Sequence, residues 1–168
     1  SSKVSQVTFD TELNKKVDSD VLQNVGTSNL LHNSEWEENV YYWEMGSGWS
    51  RDTGNKYLGS NSMKQIQSGN TQNRWHALNS EKIYCSESED FVGSVFAFTD
   101  NPSSFEGINA AMELDFYNSS DQRIALPAIS FIPDANQWKK YTVTGKAPAG
   151  TAYIRLRIHV TKNGRLWV

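Results

Sequence analysis

The sequence predicts an all-β sandwich, and three observations carry that expectation. First, the run 152–160 alternates strictly, with Ile154, Leu156, Ile158 and Val160 on one face and Tyr153, Arg155, Arg157 and His159 on the other. Period two over so many residues marks a strand with one face in a core. Second, stretches rich in Gly, Ser and Asn interrupt the chain at 46–50, 60–62, 68–73, 100–107 and 118–122. The segments between them have the spacing of sandwich strands. Third, no helical period stands out beyond Asn29.

Ahead of the sandwich, 8–25 reads as a short N-terminal helix. Phe9, Leu13, Val17, Val21 and Val25 recur every fourth residue, Thr8 or Asp10 can cap the start, and Gly26 stands where a C′ glycine ends a helix. A four-residue repeat precesses around a helix of about 3.6 residues per turn, so the stripe is not a coiled-coil seam. It serves either as an amphipathic helix packed on its own module or as the end of a longer stalk that joins the module to an assembly. The chain therefore divides at Gly26, into a helical linker over 1–26 and a β-sandwich module over 27–168.

Along the module, 91–99 places Phe91, Gly93, Val95 and Ala97 opposite Val92, Ser94, Phe96 and Phe98. The run 112–118 sets Met112, Leu114 and Phe116 against Glu113, Asp115 and Tyr117. A strand over 138–144 and a turn at 147–150 lead into the last long strand. The apolar residues of these strands, with Val95 and Trp138, are expected in one core, which Trp43 closes. If those apolar faces share the core, the mixed faces line one side of one sheet. That surface holds Phe96, Phe98, Glu113, Asp115, Tyr117, Arg155, Arg157 and His159.

Composition bounds the function. A chain of 168 residues suffices for one domain with its own core. A net charge of −3 argues against nucleic-acid binding through a basic surface. No apolar run is long enough to span a bilayer, and no charged-then-apolar leader is seen, so membrane insertion is not expected. The single cysteine, Cys85, excludes an internal disulfide framework and alternates with Ile83 as a small buried apolar residue would. The aromatic load is high, with six Trp, seven Tyr and seven Phe. Flat rings suit the C–H faces of sugars, but a sandwich core uses them too.

The motifs, taken in order, resemble a known family. W-x-x-Y-T-V, A-P-A-G-T and R-L-R-I within 138–158 are similar to the closing strands of the carbohydrate-binding modules of families four and nine. Asn29-Leu30-Leu31 followed by Asn33-Ser34-Glu35-Trp36-Glu37 is similar to their opening N-L-L-x-N-G-x-F-E. YLGSNSMK at 57–64, FVGSVFAFT at 91–99 and MELDFYN at 112–118 resemble G-S-x-S-L-K, Y-T-L-S-F-Y-A-K and L-R-F-Y-D. The series covers about 29–168. The resemblance implies a jelly-roll β-sandwich that binds glycans, without catalysis, across its concave sheet, with Trp138 structural. It also implies a possible structural calcium ion held in part by Glu37 or Glu35, although the family's matching aspartate in the last strand is missing from 164–168. The Lys/Asp/Asn/Val texture of 1–26 resembles linkers of phage tail and baseplate proteins, of the kind that infect Gram-positive, lactococcal-like bacteria. That likeness implies host adhesion from a virion, with a secreted bacterial protein as the alternative. Its partners would be a bacterial surface glycan and, through the N-terminal segment, other baseplate or tail proteins.

The candidate carbohydrate-binding residues are the mixed-face set together with Trp49, Trp75 and His76. Trp49 and Trp75 stand in polar stretches, GSGWSRD and TQNRWHAL, and each is either a plug at the sandwich edge or a sugar platform. The mixed face has a blander reading, a solvated surface of Arg–carboxylate pairs. A spacer with no glycan site, or a targeting module of a glycoside hydrolase, are the alternative roles. Catalysis is not expected. Glu113 and Asp115 are about 6–7 Å apart by strand rise, but they lie side by side rather than across a scissile bond. His32, His76 and His159 show no metal-ligand spacing.

Overall fold

The structure, a computed structural model, describes residues 29–37, 39–107 and 109–168. The helix expected over 8–25, and with it the linker over 1–26, lies outside the described residues. Leu31–Val168 form one compact unit. Its described strands are β1 (Trp43–Met45), β2 (Trp49–Asp52), β3 (Ser62–Gln67), β4 (His76–Ser80), β5 (Ile83–Tyr84), β6 (Asp90–Ala97), β7 (Ala110–Tyr117), β8 (Arg123–Ala125), β9 (Ala128–Phe131), β10 (Lys139–Lys146), β11 (Tyr153–Val160) and β12 (Gly164–Trp167).

The strands stack in two layers. One is a seven-stranded sheet ordered β1-β4-β11-β7-β8, with β5 also paired to β11 and β9 to β7. The other combines β2-β3-β12 with the β6–β10 pair. Phe98 and Trp167 join these two groups by exchanging both backbone hydrogen bonds, each 2.9 Å long.

Alternation along β11 and β7 does the sorting. Ile154 pairs with Phe116, Leu156 with Leu114 and Ile158 with Met112, and all six side chains are buried in the core. Met63, Ala97, Val143 and Leu166 complete the core from the opposite layer. A Cβ on Gly93 of β6 would stand 2.9 Å from Leu156 Cδ1 and 3.0 Å from Leu114 Cδ2, so a larger side chain there requires these leucines to shift. Gln65 is wholly buried and bonded through both ends of its amide. Its Oε1 accepts the Val160 N–H at 3.2 Å and its Nε2 donates to Ser47 O at 3.2 Å, tying β3 to β11 across the sandwich.

Two expectations about layers need correction. β6 does not share a sheet with β7 and β11; it pairs along its length with β10 in the opposite layer. Its core face is the expected one, so its other face points away from the seven-stranded sheet. Phe96 and Phe98 therefore lie on the outside of the second layer. Trp138 is not a core residue either. Its ring is 5.4 Å from that of Phe98 and 5.9 Å from that of Tyr57, which stacks on Phe96 at 3.9 Å. Alternation fixes which residues share a face of a strand, but not which layer the strand enters. Trp43 does pack against the core, with its ring 4.5 Å from that of Trp36. Of the run 57–64, which resembles a family motif, only Ser62 onward is strand, and 57–61 is loop.

Candidate functional site

The non-core face of the seven-stranded sheet is built by cross-strand rows. Arg157 of β11 pairs with Glu113 of β7 on one side and Asn79 of β4 on the other, and Asn79 pairs with Glu44 of β1. Arg155 opposes Asp115, and Tyr153 opposes Tyr117. Because side chains at i and i+2 share a face, these rows place one polar surface across four strands.

A cleft of about 430 Å³ opens on this surface. Asp115, Arg155, Arg157 and Asn79 line it from the central strands. Glu44, Met45 and Gly46 line one side, and Trp75 with His76 another. Trp75 is 43% exposed and adopts a left-handed backbone, φ 50°. The N–H groups of Arg74 and Trp75 both reach Thr161 O, at 2.7 and 3.3 Å, and the Trp75 ring packs edge-on to His159 at 5.3 Å. The indole is thus a ring held in place at the cleft's rim.

An ionic network runs beneath. Glu113 accepts from His159 Nε2 at 3.0 Å and from Arg157 at 3.3 Å. Asp115 accepts from Arg123 at 3.1 Å and from the Tyr117 hydroxyl at 3.3 Å. Arg155 donates to Glu44 at 2.6 Å. The two carboxyls on β7 are pushed apart in acidity. Burial pushes Glu113 up, but the His159 hydrogen bond and the charges of His159, Arg157 and Arg123 together outweigh it and hold the carboxyl below its ordinary value. Burial, with Glu113 two residues away, raises Asp115 above its ordinary value despite Arg123 and Arg157.

The structure brings together eight of the twelve sequence candidates and separates the other four. Glu113, Asp115, Tyr117, Arg155, Arg157, His159, Trp75 and His76 meet in the cleft or directly beneath it. Phe96 and Phe98 lie on the other layer, and Trp49 is buried with its Nε1 donating to His76 O at 3.1 Å. Trp49 is a strut under the Trp75–His76 wall rather than a platform. Glu37 lies away from the cleft, against the loop at Ser60 and Asn61. Three contributors escaped the sequence reading. Glu44 and Arg123 stand in strands of three residues, too short to show alternation, and Asn79 carries no compositional signal.

No family model and no curated protein sequence matches the chain. Solved structures do. A family 16 carbohydrate-binding module aligns with a TM-score of 0.63 at 11% identity, over 83% of this chain and 94% of that one. The C-terminal family 22 carbohydrate-binding module of Clostridium thermocellum Xyn10B aligns at 0.53 and 16% identity, over 79% and 85%. The enzymatically active domain of tailspike protein 4 of bacteriophage CBA120 aligns at 0.58 and 18% identity, over 83% of this chain but 20% of that one. The fold is the jelly-roll sandwich of carbohydrate-binding modules.

Glu37 is a poor ligand for the calcium ion that the resemblance implies. Both Glu37 oxygens face donors, the Ser60 N–H at 2.5 Å and Asn61 Nδ2 at 3.3 Å, and these N–H groups would repel a cation. Among the described residues no cluster of three or more His, Cys, Asp or Glu side chains could hold a metal.

Proposed function

We propose that this module binds a bacterial cell-surface polysaccharide in the cleft of its seven-stranded sheet, without cleaving it. The observation that carries this reading is the cleft itself. A fixed, exposed indole flanks a floor of guanidinium, carboxylate, amide and phenol groups, which is the pairing of stacking surface and hydrogen-bonding groups that sugars need. The likeness in fold to carbohydrate-binding modules supports it. Glu113 and Asp115 are locked in ion pairs with arginines and lie side by side on one strand, which is a poor arrangement for attack across a glycosidic bond.

The role is host adhesion on the tail or baseplate of a phage that infects Gram-positive bacteria, with the segment 1–26 joining the module to neighbouring tail proteins. The fold shared with part of a phage tailspike supports this placement. A shallow polar site of this kind binds at about −4 to −8 kcal/mol, the micromolar-to-millimolar range. Many copies on one particle multiply such a contact by roughly 10²–10⁴. A competing reading is a spacer without a glycan site, favoured by the mutual pairing of the arginines and carboxylates. Fluorescent labelling of Gram-positive cells decides between them. The wild type labels a host strain and Trp75→Ala does not, while both melt alike; a spacer labels nothing.

A further inference from the structure

Three buried side-chain atoms lack a partner among the described residues: Asp115 Oδ1, Arg155 Nε and His159 Nδ1. The third belongs to the ring that packs against Trp75. The other two belong to residues that directly oppose each other on β7 and β11, and both residues line the cleft. Asp115 is 1% exposed. Its other oxygen is already taken by Arg123 and Tyr117, and the Arg155 Nη1 is taken by Glu44.

An unmet carboxylate oxygen beside an unmet guanidinium N–H is an unusual pair. A buried group left without a bond is costly, and one ligand group that serves both atoms would relieve both costs. A carboxylate or phosphate can accept from Arg155 but cannot donate to Asp115, and it brings negative charge beside Glu113 and Asp115. An ammonium group can donate but cannot accept. A hydroxyl does both at once. Neither atom is open to solvent as the structure stands, but Arg155 is held by a carboxylate on an exposed edge residue, Glu44, whose side chain is 68% exposed. Release of that pair frees the guanidinium to turn toward a ligand.

Resting on the cleft reading above, we propose that Arg155 Nε and Asp115 Oδ1 form a two-point clamp for hydroxyls. The site therefore takes a neutral sugar that presents one hydroxyl, or two adjacent ones, between β7 and β11, and it rejects uronate- or phosphate-bearing chains. Glu44 is the gate residue that Arg155 leaves when the ligand binds.

The test compares neutral and anionic oligosaccharides on the whole chain by calorimetry and affinity electrophoresis. The probes are a panel of neutral polysaccharides and hexasaccharides, xylohexaose among them, and a hexamer of galacturonic acid with its polysaccharide. The wild type binds a neutral probe and not the uronate. Arg155→Lys keeps the charge but loses Nε, and it weakens neutral binding by about tenfold or more. Asp115→Asn keeps the shape, weakens neutral binding, and narrows or removes the discrimination against the uronate. Melting curves of both variants confirm that they fold. Preference of the wild type for the uronate overturns the clamp, as does neutral binding that Trp75→Ala abolishes but Arg155→Lys and Asp115→Asn leave unchanged. Binding of no probe in either class overturns the cleft reading together with the clamp.

Discussion

Glu113 and Asp115 lie two residues apart on β7, yet their surroundings push their acidities in opposite directions. The sign of each effect follows from linkage. Glu113, held below its ordinary 4.5, stabilises the fold above that pH, and the contribution is lost as pH falls through the lowered value. Asp115, raised above its ordinary 3.8, does the reverse: it stabilises in acid and the contribution fades as pH rises through the raised value. Glu37, Asp52, Asp100, Glu106 and Asp121 are held low like Glu113, so carboxyls of this sign outnumber Asp115 and the melting temperature should fall below about pH 4.5. Glu113→Gln should flatten that loss and Asp115→Asn should steepen it. Thermal melts of the three proteins from neutral pH into acid measure this, and parallel profiles would refute the assignment. At this scale the sequence was partly legible. Arg155, Arg157 and His159 were readable as one polar set because strict alternation admits no other face. Phe96 and Phe98 were not, because an exposed-looking aromatic on a mixed face packs equally well against a loop, here Tyr57, or against Trp138 and Trp167.

Elements show the same division between what local pattern fixes and what pairing decides. β7 and β11 were legible to within two residues, since their apolar positions repeat at two and each strand is long. The layer of β6 was not legible, since nothing in the run itself distinguishes a partner in β10 from one in β7. The short β1 escaped notice although it builds one side of the cleft. Its placement rests on Gly46, whose N–H donates to Ala77 O at 2.7 Å. A Cβ there would stand 2.7 Å from that same oxygen and 2.9 Å from Ala77 N. Backbone atoms in a paired strand cannot yield as a side-chain tip can. Gly46→Ala should cost about 1–3 kcal/mol and widen the cleft by pushing β1 from β4. Denaturant unfolding reads the first effect and glycan affinity the second. Wild-type stability with wild-type affinity would show that this approach is not constrained.

For the whole molecule, a sandwich with its own core accounts for every long strand of Leu31–Val168. A fragment of 27–168 should unfold in one cooperative transition, and a fragment that melts without a transition would show that 1–26 belongs to the core. The central claim is that one outer face of this sandwich, the seven-stranded one, meets the glycan. Two groups of tryptophans mark the alternatives. Trp75 stands at the cleft, while Trp138 and Trp167 stand on the opposite layer with Phe98. The most direct measurement is a titration of isotope-labelled protein with host cell-wall polysaccharide, followed by NMR of the indole N–H groups. The Trp75 resonance should shift or broaden while those of Trp138 and Trp167 stay in place. Movement of Trp138 and Trp167 with Trp75 unchanged would contradict the central claim.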